Sequence, residues 1–167
     1  MARIFNFSAG PSTLPLPVLE QVQRDIVDYQ GAGLSLIEAS HRGPHYSEVH
    51  EAAGAAMRKL LGLPDSYHVL WLQGGATMQF GMIPMNLLAG GKKADYTNTG
   101  SWAKKAIADA KKIGDIALAY DGSGESFTTL PPAADLKVRD DAVYLHLTSN
   151  ETIGGVQWHE WPDAGVP

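Results

Sequence analysis

The chain has 167 residues, 44% hydrophobic and 19% charged, a balance that supports one folded globular domain with a real core and excludes a disordered chain. Its 13 basic against 18 acidic residues give a formal charge of -5, which excludes a broad basic face for nucleic acid and requires any anion to be held locally. Cysteine is absent, so disulfides, thiolate catalysis and sulfur-ligated zinc are excluded, and with no membrane-spanning run and no leader at Met1-Ala2-Arg3-Ile4-Phe5 the expectation is a cytoplasmic protein.

Ile4 to Pro15 is too rich in Gly and Pro for a regular element, but its aromatics are apolar enough to dock, so an ordered arm over 1–15 is expected. Pro17 suits a first helical turn, and Val18, Leu19, Val22, Ile26 and Val27 then share one face until Gly31 and Gly33. The loop Ser40-His41-Arg42-Gly43-Pro44 follows. A guanidinium fork beside an imidazole suits a phosphate or carboxylate, whereas the plainer reading is a loop Arg paired with a surface acid. The spacing of His41, His45 and His50 matches no metal pattern, and a metal is rejected. From Tyr46 to Leu61 a helical stripe of Val49, Ala52, Ala53, Ala56, Met57 and Leu60 is expected to be buried, with Gly62 and Pro64 stopping the helix.

His68-Val69-Leu70-Trp71-Leu72-Gln73-Gly74-Gly75-Ala76-Thr77 reads as strand, tight turn, helix. A helix starting near Ala76 or Thr77 leaves its first N–H groups unpaired, which favours a phosphate, and the Thr77 hydroxyl adds a donor. The same turn also serves as a simple chain reversal. It lacks the Gly-Lys-Ser/Thr of a Walker loop and the spaced glycines of a dinucleotide loop. Met78 to Leu88 continues as a helix that Pro84 kinks or breaks. A strand over Ala94 to Thr99 leads to Ser101 as N-cap and a helix through Ile113, placing Trp102 just past a strand end as either core residue or stacking plate. Further strands are expected at Ile116–Tyr120 and Ala142–Leu147, with a turn at Gly122-Ser123-Gly124, a short helix over Ala133–Leu136 and Thr148 to Thr152 at the last strand's end. Alternating strands and helices without repeats give an α/β chain with a doubly wound, mainly parallel sheet in three layers.

The runs Asn6-Phe7-Ser8-Ala9-Gly10-Pro11, Ser40-His41-Arg42, Gly74 to Phe80, Pro84-Met85-Asn86-Leu87-Leu88, Ala94-Asp95-Tyr96, Gly100-Ser101-Trp102-Ala103 and Asn150-Glu151-Thr152-Ile153-Gly154-Gly155 are arranged in an order that resembles the phosphoserine aminotransferases. The resemblance covers essentially the whole chain. It implies a fold-type I, pyridoxal 5'-phosphate-dependent homodimer, with active sites at the interface. Such enzymes move an amino group between glutamate and 3-phosphohydroxypyruvate, giving O-phosphoserine and 2-oxoglutarate for serine and pyridoxine synthesis. Carried over by position, Gly75, Ala76 and Thr77 hold the cofactor phosphate, Trp102 stacks on its ring and Thr152 lies at the ring's hydroxyl edge. His41 and Arg42 correspond to the pair that grips the substrate phosphate. Some members carry Arg where this chain has Thr77, so one phosphate contact is absent here.

The family's Schiff-base lysine, its partner acid for the ring nitrogen and its carboxylate-binding arginine fall beyond Pro167. None of Lys59, Lys92, Lys93, Lys104, Lys105, Lys111, Lys112 or Lys137 stands in a matching context. The implied organisation is an arm over 1–15 and, over 16–167, the N-terminal part of the cofactor-binding large domain, with no catalytic residue and no turnover in this chain alone. The alternative is a non-catalytic phosphate-ligand-binding or dimerisation module of the same family. Cysteine desulfurases and alanine–glyoxylate aminotransferases are disfavoured by His41-Arg42.

Overall fold

The computed structural model describes residues 3–8 and 10–167. Met1 and Ala2, part of the expected leaderless start, and Ala9, within the Asn6–Pro11 run, lie outside the described residues. Two compact units form, Met1–Trp71 and Leu72–Pro167.

In the first unit, Asn6 ties the arm to itself: its amide donates to the Pro11 carbonyl at 2.8 Å, and its own N–H donates to the Thr13 hydroxyl at 3.2 Å. The aromatics do not dock as expected, since Ile4, Phe5 and Phe7 are exposed. Helix α1 spans Leu16–Asp25, with Pro17 in its first turn, and α2 spans Pro44–Leu61 and ends on the left-handed Gly62. The first helix stops earlier than its apolar stripe, because the chain turns after Ile26. The stripe expected to be buried on α2 is not: Val49 and Leu60 are exposed and the helix buries no residue. Helical periodicity orients a face, and burial needs a second element over it. Here α1 and α2 border a groove of about 900 Å³ lined by Val18, Val22, Ile26, Val49 and Ala52.

Residues 68–72 also depart from the expected strand. They have no regular structure, and Leu70, Trp71 and Leu72 are exposed. A strand exists only through a neighbour that takes its N–H and C=O groups, and none of the described residues pairs with this run.

In the second unit, α3 (Gly75–Leu87) leads to β1 (Lys93–Asn98), α4 (Ser101–Ala110), β2 (Asp115–Asp121) and β3 (Ala142–His146). The three strands are parallel in the order β2-β1-β3. Central β1 is buried from Ala94 to Asn98, as befits a parallel strand covered on both faces. The core joins Leu88, Ala94, Tyr96, Ala106, Ile107 and Tyr144, with Phe80 and Ile83 of α3 against it. Alanines at 103, 106 and 110 let α4 lie close on the sheet. Pro84 neither ends α3 nor leaves its turn open: the helix continues to Leu87, and the Leu88 N–H donates to the Pro84 carbonyl.

Gly122–Glu125 and Ala133–Asp135 are single 3-10 turns. After β3 a small antiparallel pair, β4 (Asn150–Glu151) and β5 (Val156–Gln157), carries the Asn-Glu-Thr run. Two residues per strand are too few for an alternation signal. Among the described residues no helix is long and apolar enough to cross a membrane. Parallel strands alternating with helices give the α/β architecture with a parallel sheet expected from the sequence.

Candidate functional site

The C-terminal end of β3 and the first turn of α4, which follows β1, open onto a cavity of about 360 Å³ in the second unit. Its walls are Ala76, Thr77 and Phe80 from α3, Trp102 from α4, and His146 to Asn150 with Thr152 from β3 and the turn after it. This volume is at the small end of the roughly 300–1,000 Å³ of small-molecule sites. None of the lining residues is acidic, which matters in a chain of charge -5.

Two helices present their N-termini here, and they differ. At α3 the cap is Gly74, with φ +90, and among the described residues no side chain caps the first-turn N–H groups. A Cβ at Gly74 would lie 2.0 Å from the Met78 sulfur, and only glycine fits this turn. At α4 the amides are already taken. The Trp102 and Ala103 N–H groups donate to the two carboxylate oxygens of Glu151, each at 2.8 Å, and Glu151 is 1% exposed. Ser101 is therefore not the N-cap: Gly100 occupies that position and a carboxylate some fifty residues later does the capping. Helix α4 also ends at Ala110, short of Ile113.

Trp102 is half-buried and walls the cavity rather than filling the core. Its indole N–H donates to the Thr152 hydroxyl at 2.8 Å, and the Lys105 ammonium lies 4.3 Å from the ring centroid. Beneath, the His146 ring stacks on Tyr96 at 4.6 Å, and the Tyr96 and Tyr144 hydroxyls share a 2.8 Å hydrogen bond. Burial pushes the His146 imidazole below its usual pKa, and its Nδ1 has no partner among the described residues. The Thr148 hydroxyl is likewise buried and unpartnered.

The structure thus brings Ala76, Thr77, Trp102 and Thr152 to one cavity, with Gly75 opening α3 beside it. His41 and Arg42 belong to the first unit, exposed on the turn before α2, where the Arg42 N–H donates to the Ser40 hydroxyl at 3.2 Å. Neither makes an ion pair among the described residues. Sequence reasoning missed His146 and the capping role of Glu151. The only available signal for Glu151 was its place beside Thr152, since a cap from another element leaves no local spacing.

Far from the cavity, the opposite end of the sheet is tied by Arg139. Its Nε donates to the fully buried Asp95 carboxylate at 2.7 Å, and its other nitrogens reach the Asp115 carboxylate and the carbonyls of Ala94 and Asp115.

A parallel sheet with its strand ends facing an uncapped helix terminus and an aromatic wall defines an α/β enzyme-like site. Residues 4–165 match the class-V aminotransferase family model, and the chain belongs to that family. It is 52% identical over 163 residues to the phosphoserine aminotransferase of Niallia circulans, an alignment spanning 98% of this chain and 45% of that protein. The solved phosphoserine aminotransferase from Bacillus circulans subsp. alkalophilus superposes with a TM-score of 0.94 at 52% identity, covering 99% of this chain and 46% of that one. The PLP-bound phosphoserine aminotransferase from Trichomonas vaginalis superposes with a TM-score of 0.85 at 34% identity, over 99% and 47% of the two chains. The chain therefore spans about half the length of the relatives it matches.

Proposed function

We propose that this chain is the cofactor-binding portion of a phosphoserine aminotransferase. In this reading it uses pyridoxal 5'-phosphate to move an amino group between glutamate and 3-phosphohydroxypyruvate. The observation that carries it is the cavity with one free helix N-terminus and one aromatic wall. Of the two helix ends there, α4 is already neutralised by Glu151, so a phosphate goes to α3, on the amides of Gly75, Ala76 and Thr77 with the Thr77 hydroxyl. The half-buried Trp102 offers a flat face to the ring, held at its edge by Thr152. The unpartnered polar groups of His146 and Thr148, and the lack of a lining carboxylate, suit a polar, phosphorylated ring. The bound group would supply an electron sink for amino transfer. The chain's own residues bind its phosphate, hold its plane and exclude water from one face.

His41 and Arg42 are assigned to the phosphate of the substrate, where a forked cation beside an imidazole donor gives charge-assisted hydrogen bonds. The reading extends to an arm over 1–15, a large-domain segment over 16–167, a homodimer and a cytoplasmic setting. The reference test is spectrophotometric titration of the intact protein with pyridoxal phosphate, followed by assay of 2-oxoglutarate formed from glutamate with 3-phosphohydroxypyruvate or unphosphorylated hydroxypyruvate as acceptor. Saturable binding and preference for the phosphorylated acceptor are expected. Absence of both, or equal use of the two acceptors, refutes the assignment.

A further inference from the structure

We propose that Glu151 is a positioning residue that sets the Trp102 wall against Thr152 by clamping the N-terminus of α4 with both carboxylate oxygens. The proposal rests on the cofactor reading above and adds a residue to it. Three observations meet at this side chain. Glu151 is 1% exposed, and its oxygens accept from Trp102 N–H and Ala103 N–H at 2.8 Å each, so a buried charge is satisfied by the first turn of a helix. Gly100 is buried in extended backbone, and a Cβ there would stand 2.6 Å from the carboxylate carbon. The backbone accepts any residue at that φ, so the constraint at 100 is the room Glu151 needs. The neighbouring residue, Thr152, accepts the Trp102 indole N–H at 2.8 Å. One helical turn and one hairpin strand are thus joined twice, through backbone by Glu151 and through the ring by Thr152. The carboxylate bonds are buried at Ala103 and part-buried at Trp102, whereas the indole bond is exposed and weak by itself. Removing the clamp leaves the indole bond to hold α4 and the hairpin together, and the ring loses its fixed plane.

The test uses the intact protein labelled with 15N, its Trp102 indole resonance assigned by Trp102→Phe. In cofactor-free protein, Glu151→Ala is expected to shift that resonance and speed its hydrogen exchange by roughly tenfold or more, the size set by losing a charged hydrogen-bond partner. Pyridoxal phosphate affinity should fall by about the same factor. Glu151→Gln, which keeps one carbonyl acceptor, should recover part of both. Gly100→Ala keeps the carboxylate but displaces it, and should reproduce the loss without adding to it in the double variant. If Glu151→Ala fails to fold, the Gly100→Ala and Glu151→Gln arms decide. Unchanged indole exchange in folded variants overturns the proposal, as does a loosened indole with unchanged affinity. A wild-type protein that binds no pyridoxal phosphate overturns the functional reading, and the proposal with it, whatever the indole does.

Discussion

Replacing Tyr96 by Phe removes a single oxygen atom from the core that packs on His146 and should cost far more than its size suggests. Tyr96 is 1% exposed and Tyr144 5%, and their hydroxyls are 2.8 Å apart in the core. Burial pushes both phenols above their usual range, so both remain neutral hydroxyls at ordinary pH. In Tyr96→Phe the ring still packs on His146, but the Tyr144 hydroxyl is left buried without its partner. The lost bond and the stranded group together are worth about 1–3 kcal/mol. Tyr144→Phe strands Tyr96 in the same way. The double variant removes both polar atoms at once and should lie within about 1 kcal/mol of wild type, because no unpaired group remains. The assay is urea unfolding of the four proteins of the cycle. With a slope of about 2 kcal/mol/M, the single variants should lose roughly 0.5–1.5 M in midpoint, with the double variant recovering most of it. If each single change costs less than about 0.5 kcal/mol, or the double variant is as unstable as the sum of the two, the hydroxyl pair is not the linked unit its geometry implies.

Arg139→Ala should destabilise the second unit by about 3 kcal/mol, the low end for breaking a buried pair, because the backbone N–H of residue 139 still donates to Asp95. Arg139→Lys should not restore it, since one ammonium cannot reach two carboxylates and two carbonyls; a loss below about 1 kcal/mol in urea unfolding would refute the network's role. His146 is depressed below its ordinary value of 6.5 by burial, so the unfolded state binds more protons between the folded pKa and 6.5. Stability should therefore fall as pH drops below about 6.5, and His146→Gln should remove that part of the slope in unfolding curves measured between pH 7.5 and pH 5, taken as roughly spanning the titration range of His. Arg42→Ala should raise KM for 3-phosphohydroxypyruvate by about 10- to 150-fold, the equivalent of roughly 1.5–3 kcal/mol for a hydrogen bond to a charged group, and leave glutamate far less affected; equal losses in steady-state kinetics would make Arg42 structural.

The residues alone determined the elements whose physics is local. Gly74 and Gly75 ended one run and opened α3, the short runs at Ala94–Thr99 and Ala142–Leu147 between helices made the parallel strands β1 and β3, and Gly62 stopped α2. They also indicated the cavity wall, because Trp102 and Thr152 each follow a strand that ends at the same edge. What stayed outside the sequence was everything that depends on a distant partner. Among the described residues, 68–72 have a strand's composition without a neighbour to pair with, and the apolar faces of α1 and α2 have periodicity without a covering layer. The N-cap of α4 followed the same rule in reverse: Ser101 satisfies the local preference, yet Glu151 takes the amides because the sheet brings β4 to that helix end. Periodicity and propensity act within a few residues, whereas pairing, burial and a buried charge are settled by what tertiary structure sets beside them.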